Sequence, residues 1–269
     1  MQQDVKPHSL IDSHCHLDAV EALTTNLDQA HSLGICQHIV PAITPAQWPK
    51  VMALQSPSIH IALGTHPWYV ENPEQEQAEL LRFLKESSSM LTESSSTAQR
   101  PVAIGEIGLD FYPAKQPRPS KEIQLESFSQ QLAIAESHQL PVIVHAVKAH
   151  NEVIETLKKF PEIRGVIHAF NGSIEIAQQY LALGFCFGAG PLLLKSQKLT
   201  RVFAQLPLAN ILLETDAPYM KAATYSSEAL SNPLLILTDV AEHLARAKDI
   251  STEQLAEQCR QNTQQLFRC

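Results

Sequence analysis

No two of the five cysteines (Cys15, Cys36, Cys186, Cys259 and Cys269) form a C-x-x-C pair, and their number is odd. A disulfide framework or a cysteine zinc knuckle is therefore disfavoured, and reduced thiols are expected. No apolar run is long enough to span a bilayer, and residues 1–9 lack the apolar core of a signal peptide. The expectation is a cytoplasmic protein with no membrane contact. Positive charge is scarce: 20 Lys and Arg stand against 28 Asp and Glu, a net charge of -8. Tight non-specific duplex binding draws most of its affinity from phosphate neutralisation, so a passive nucleic-acid binder fits poorly. An enzyme that meets phosphate locally, through metals and a few cations, is not excluded. The glycine fingerprint of a dinucleotide fold is absent as well.

What the chain does contain is alternation. Hydrophobic residues make up 44% of 269 positions, enough for one large core. Short apolar strands are expected near 10–16, 38–43, 59–63, 102–106, 141–145, 166–170, 185–188 and 211–216. Helical periodicity fills 18–33, 45–54, 74–85, 121–138, 148–159, 173–183, 195–205, 230–247 and 252–266. The serine-rich stretch 86–99 reads as a loop on the far side of the fold, and 108–120 as a long loop after strand four. Eight near-continuously apolar strands, each followed by a helix, predict a single (β/α)8 TIM barrel domain over 1–269.

The polar residues of those strands stand at their ends. His14 and His16 close strand one, Glu106 strand four, His145 strand five, His168 strand six and Asp216 strand eight. In such a barrel all C-terminal strand ends open onto one face. On a strand, residues two apart point the same way, so His14 and His16 converge while Cys15 faces away. Six buried satisfied polar residues would be a costly coincidence, and a metal site explains them better. Imidazoles with two carboxylates offer too few oxygens for calcium. Two first-row divalent ions sharing a bridging carboxylate, ~3.5–4 Å apart, fit best.

The segments Asp-Ser-His-Cys-His-Leu-Asp (12–18), Gly-Thr-His-Pro (64–67), Gly-Glu-Ile-Gly-Leu-Asp-Phe (105–111), Pro-Val-Ile-Val-His-Ala (141–146), His-Ala-Phe-Asn-Gly-Ser (168–173) and Leu-Glu-Thr-Asp-Ala-Pro (213–218) resemble the TatD family of metal-dependent hydrolases, in its YjjV-like branch. Asn262-Thr263 with Leu266-Phe267 resembles the family's C-terminal signature. The resemblance spans essentially the whole chain. It implies an amidohydrolase-type barrel, two divalent cations (Zn, Mn, Ni or Mg) and deoxyribonuclease activity, with a 3′-end preference in some members. Carried over, His14 and His16 bind the first metal, Glu106 bridges, and His145 and His168 bind the second. Asp216 ligates the first metal and takes the proton of the attacking water. His66 either hydrogen-bonds a substrate phosphate or supports a ligand, and Lys148 is a candidate substrate contact.

Two positions depart from the family pattern. Val147 stands where many members carry an arginine, and Ser231 where many carry an asparagine. Lys115, Arg118, Lys121, Lys148, Lys195 and Lys221 lie near strand ends and are candidate phosphate contacts, although solvated surface charge describes most such residues. Three functions follow: hydrolysis of DNA ends, hydrolysis of a small ester, lactone, amide or phosphodiester, and an inactive barrel used for binding. Six retained ligands speak against the last. DNA ends or a small phosphodiester are the expected partners, and no protein partner is expected.

Overall fold

The computed structural model describes residues 9–89, 100–113, 116–220 and 231–269. Eight parallel strands pair in sequence order: β1 (Leu10–Asp12), β2 (Ile35–Pro41), β3 (Ile59–Leu63), β4 (Ala103–Asp110), β5 (Val142–Val147), β6 (Gly165–Ile167), β7 (Cys186–Ala189) and β8 (Ile211–Leu213). β8 returns to β1, where the Ser13 amide donates to the Leu213 carbonyl (2.9 Å) and the Asp216 amide to that of His14 (2.8 Å). Around the barrel run α1 (Leu23–Ser32), α2 (Trp48–Met52), α3 (Pro73–Ser89), α4 (Lys121–His138), α5 (His150–Leu157), α6 (Ile174–Ala182), α7 (Gln197–Gln205), α8 (Ile236–Lys248) and α9 (Thr252–Phe267). This is the expected (β/α)8 architecture.

Two apolar layers follow from the pleat. Ile39, Ala62, Ala103, Ile143, Val166 and Leu212 form one cluster with Phe267 of α9. Their strand neighbours Val40, Ile61, Ile104, Val142, Val144, Ile167 and Leu213 join the larger cluster with the helices. Successive side chains thus alternate between a filled barrel interior and the helix shell, as parallel strands buried on both faces require.

Several element ends differ from expectation. β1, β6 and β8 end as regular strands before the site residues, which stand just beyond them, although backbone bonding continues there: the His168 amide donates to the Val144 carbonyl (3.0 Å) and the Asp216 amide to that of His14. The helix expected from 18 begins at Leu23, because residues 17–19 form a 3-10 turn and His16 donates its amide to Ala217 (2.7 Å). β4 extends to Asp110, absorbing the start of the expected loop, and α3 continues to Ser89. The rest of the serine-rich stretch, 90–99, lies outside the described residues. The helix expected over 195–205 is split at Ser196, whose hydroxyl caps α7 by accepting from the Leu199 amide. The helix expected from 230 starts at Ile236, behind a 3-10 turn capped by the Asn232 side chain.

Candidate metal centre

The interior layer fixes what lies above it. Two residues beyond Ile143 comes His145, two beyond Val166 comes His168, and four beyond Ala62 and Leu212 come His66 and Asp216. β4 needs a correction to join them, since Ala103 faces inward and strict alternation would turn Glu106 outward. The pairing register of β4 with β5 shifts between Ile104 and Ile107, and this irregularity resets the phase. Glu106 is then 3% exposed and faces the histidines.

The seven expected site residues at strand ends meet in two groups around Glu106. His14 Nε2 lies 3.3 Å from His16 Nε2, 3.4 Å from Glu106 Oε2 and 3.6 Å from Asp216 Oδ1. On the other side, His145 Nδ1 lies 3.2 Å from His168 Nε2 and 2.9 Å from Glu106 Oε1. Two imidazole nitrogens facing each other beside a carboxylate oxygen is an arrangement that a shared cation satisfies, and here it occurs twice. The donor set therefore fits divalent metals.

His66 joins from β3, with Nε2 3.5 Å from Glu106 Oε1. Its Nδ1 accepts the Trp68 amide at 3.1 Å, so the neutral ring carries its proton on Nε2, aimed at the centre. In that tautomer His66 presents an N–H to the centre rather than a lone pair.

Charge balance follows the same grouping. Burial opposes ionisation of Glu106, but His168, His66 and His14 outweigh it and hold the carboxyl well below its ordinary range. Burial likewise opposes Asp216, and the His16 hydrogen bond with His14 and His168 keeps it low. Burial drives His66 well below the usual imidazole value and lowers His14. His168 is held well above it, against burial, by Glu106 and Glu214.

Two carboxylates behind the histidines were missed by sequence reasoning. Asp110 Oδ2 lies 3.1 Å from His145 Nε2, the ring nitrogen turned away from the centre. Glu214 Oε1 lies 3.7 Å from His168 Nδ1 and accepts the Ala169 amide at 2.5 Å. Such carboxylates fix the orientation and tautomer of a ligating imidazole. Glu214 shares the inward phase of Leu212 and Asp216, a signal the sequence did carry. Gly188 makes room for it, since a Cβ there would collide with the Glu214 carboxylate. The inner face of α4 pins two site backbones with buried amides. Gln131 brackets Thr65 through its amide (2.8 Å) and carbonyl (3.1 Å), and Gln124 brackets Asp110 likewise (2.9 and 3.2 Å).

Of the candidate phosphate contacts, Lys115 and Lys221 lie outside the described residues. Lys148 and Lys195 are exposed, and Lys121 sits over the Phe111 ring at 4.5 Å. Arg118 lies over Trp68, its Cζ 3.9 Å from the ring centroid, and pairs with Asp110 Oδ1 at 3.2 Å. Trp68, Tyr69 and Tyr219 contact the site histidines with exposed rings, Trp68 and Tyr69 against His66 and Tyr219 against His16.

Comparison with known proteins groups the chain with metal-dependent hydrolases. A family model described as TatD related DNase matches residues 11–268. The uncharacterized metal-dependent hydrolase YjjV of Escherichia coli (strain K12) is 34% identical over 221 residues, covering 78% of this chain and 80% of its own. Deoxyribonuclease TATDN3 of Homo sapiens is 29% identical over 265 residues, covering 96% and 94%. A crystal structure of the Escherichia coli YjjV superposes with a TM-score of 0.83 at 28% identity, covering 97% of this chain and 98% of that one.

Proposed function

The chain belongs to the TatD family and is a metal-dependent hydrolase of ester bonds, and from that premise we propose that it cleaves phosphodiesters at DNA ends with two divalent cations. His14, His16 and Asp216 would hold the first cation, His145 and His168 the second, and Glu106 would bridge them. Zinc, manganese, nickel or magnesium would serve according to supply. The observation that carries this reading is the opposed use of the Glu106 oxygens: Oε2 lies 3.4 Å from His14 Nε2, and Oε1 lies 2.8 Å from His168 Nε2.

Bound divalent cations supply Lewis acidity, drawing the pKa of water toward neutrality and offsetting charge on phosphoryl oxygens. The chain's own groups do the rest. Asp216, kept ionised by the imidazoles around it, orients the attacking water and accepts its proton. His66 donates from Nε2 to a non-bridging phosphoryl oxygen. Lys148, exposed just past β5, meets the substrate backbone farther out. Exposed aromatic rings beside the histidines offer faces on which unstacked bases can lie. Among the described residues no helix is long and apolar enough to cross a membrane. Five free thiols support a reducing compartment, the cytoplasm.

A second reading, hydrolysis of a small ester, lactone or amide, is favoured by Val147, which brings neither charge nor donor to the end of β5. The deciding experiment measures metal content together with turnover of single-stranded DNA, a small phosphodiester and a neutral ester. The nuclease reading expects up to two divalent ions per chain, turnover of both phosphodiesters, and loss of that turnover in Asp216→Ala. Turnover confined to the neutral ester would replace it with the second reading.

A further inference from the structure

Val147 pairs in register with Asp110 across β4 and β5, and Asp110 is where Arg118 reaches the site from a different loop. We infer that Arg118, stacked on Trp68 and braced against Asp110, is the cation that grips the substrate phosphate beside the metal centre. The inference rests on the phosphodiesterase reading above and names a residue that reading does not use.

Arg118 is built into place rather than left on the surface. It stands between Pro117 and Pro119, and a residue preceding proline is confined to extended backbone. The carbonyl of Pro119 accepts Gln124 Nε2 at 3.0 Å, and Ser120 then caps α4. The loop end is thereby tied to the same glutamine that brackets Asp110. The guanidinium carbon lies 3.9 Å from the centroid of the Trp68 ring, whose Nε1 donates to Asp110 Oδ2 at 2.7 Å. The side chain retains 22% of its exposure, so it is neither buried nor free to wander.

The pairing with Asp110 does not consume the cation. Asp110 already accepts from Trp68 Nε1, the Tyr112 amide (2.8 Å) and His145 Nε2 (3.1 Å). Arg118 faces it with one terminal nitrogen at 3.2 Å, without the alignment of a hydrogen bond. A guanidinium has five N–H donors in a fixed planar fork, so most remain for another anion. Asp110 is the only acid paired with Arg118 among the described residues. The carboxylate that holds His145 thus also holds a guanidinium. A phosphate bound beside His145 would lie within reach of a fork that matches its oxygens. Lys121, over Phe111, and Lys148, exposed, lack this bracing.

The test uses the full chain loaded with manganese, as wild type, Arg118→Met and Arg118→Lys. Binding of inorganic phosphate is followed by calorimetry, metal affinity by titration of the metal-free protein, and turnover with bis(p-nitrophenyl) phosphate. Arg118→Met should weaken phosphate binding about tenfold and raise KM similarly, with kcat changed less and metal affinity unchanged. Arg118→Lys should recover only part of the loss, since an ammonium lacks the fork. Unchanged phosphate binding in Arg118→Met overturns the inference. A parallel loss of metal affinity also overturns it, because Arg118 would then act by positioning His145 through Asp110. If wild type binds phosphate but turns over no phosphodiester, the functional reading fails while the binding comparison still decides the role of Arg118. A wild type that binds no phosphate at millimolar concentration overturns the inference outright.

Discussion

Asp110 meets His145 at 3.1 Å on the ring nitrogen opposite the one that faces Glu106. The imidazole is clamped between two carboxylates, and only one of its nitrogens is left for a metal. Against burial, the hydrogen bonds of Asp110 and then Glu106 raise the His145 pKa. Asp110→Asn keeps the shape but removes the charge that fixes the ring. Metal affinity at the His145 side should fall between about tenfold and a hundredfold, the usual cost of losing such a partner. Calorimetric titration with zinc or manganese checks this. Unchanged affinity would mean that Glu106 alone holds His145 in place.

Glu106 is the residue whose loss should reach both cation positions. His14→Ala should remove one metal equivalent, whereas Glu106→Ala should reduce both, since each oxygen faces a different imidazole pair. Removing the carboxylate also takes away a counter-charge that His14, His16, His145 and His168 all face. Elemental analysis per chain is the measurement, and full stoichiometry in the Glu106 variant rules out the bridge.

Much of this site was legible in the sequence because strand geometry is regular. The two-residue period and the common face of the strand ends sufficed to gather His14, His16, His145, His168 and Asp216. Glu106 was legible as a strand-end residue, but its inward aim depends on an irregularity in β4 that no local composition announces. Asp110 was hidden because it falls where a proline-rich loop was expected to have begun. Glu214 lies within the expected strand 211–216, two residues before Asp216, and its inward phase was legible although no role was read from it. Gln124 and Gln131 look like the wet face of an amphipathic helix. They are buried because their amides replace water for two site backbones.

Acid should oppose metal binding in a window set by His168. Its folded-state pKa lies well above the ordinary imidazole value near 6.5, raised against burial by Glu106 and Glu214. In the metal-free protein the proton on His168 therefore stabilises the fold fully below about pH 6.5, and that contribution is lost as pH rises through the raised value. A metal must displace this proton, so affinity should rise with pH across the window and binding should release protons. Activity should fall as pH drops through that window, and excess metal should move the fall to lower pH. Calorimetry in buffers of different ionisation enthalpy counts the protons. An acid limb indifferent to metal concentration would remove ligand protonation as its cause.

Glu214 should prove sensitive to a single methyl group placed opposite it. Gly188→Ala puts a Cβ into the space that the Glu214 carboxylate fills, in a site with no exposure to yield into. The carboxylate must move, and with it the support behind His168 and the acceptor of the Ala169 amide. A destabilisation of about 1–3 kcal/mol is expected, the range for overpacking a filled interior. Metal affinity should fall as well. Glu214→Gln in the Gly188→Ala background should not add its full effect, because both changes act on one contact. Thermal unfolding of the metal-free and loaded protein separates the two terms. Additive losses would show that Gly188 and Glu214 act independently.

Val147→Arg tests whether the phosphate position is already taken. Without Arg118, an arginine at 147 would be expected to raise kcat/KM on an oligonucleotide by up to about tenfold, ~1.4 kcal/mol. Its register partner is Asp110, so the new guanidinium would arrive beside the carboxylate that braces Arg118. Two cations would then compete for one acid and one phosphate. In the wild-type background the gain should be small, below about twofold. In Arg118→Met the same substitution should recover most of the lost kcat/KM, because the position is vacant and Asp110 is free to hold the newcomer. The four proteins form a double-mutant cycle, and the expected coupling is a rescue well beyond additivity. A neutral ester measured in parallel should show no such coupling, since it offers the fork no anion. A tenfold gain in both backgrounds would mean that residues 147 and 118 serve different parts of the substrate.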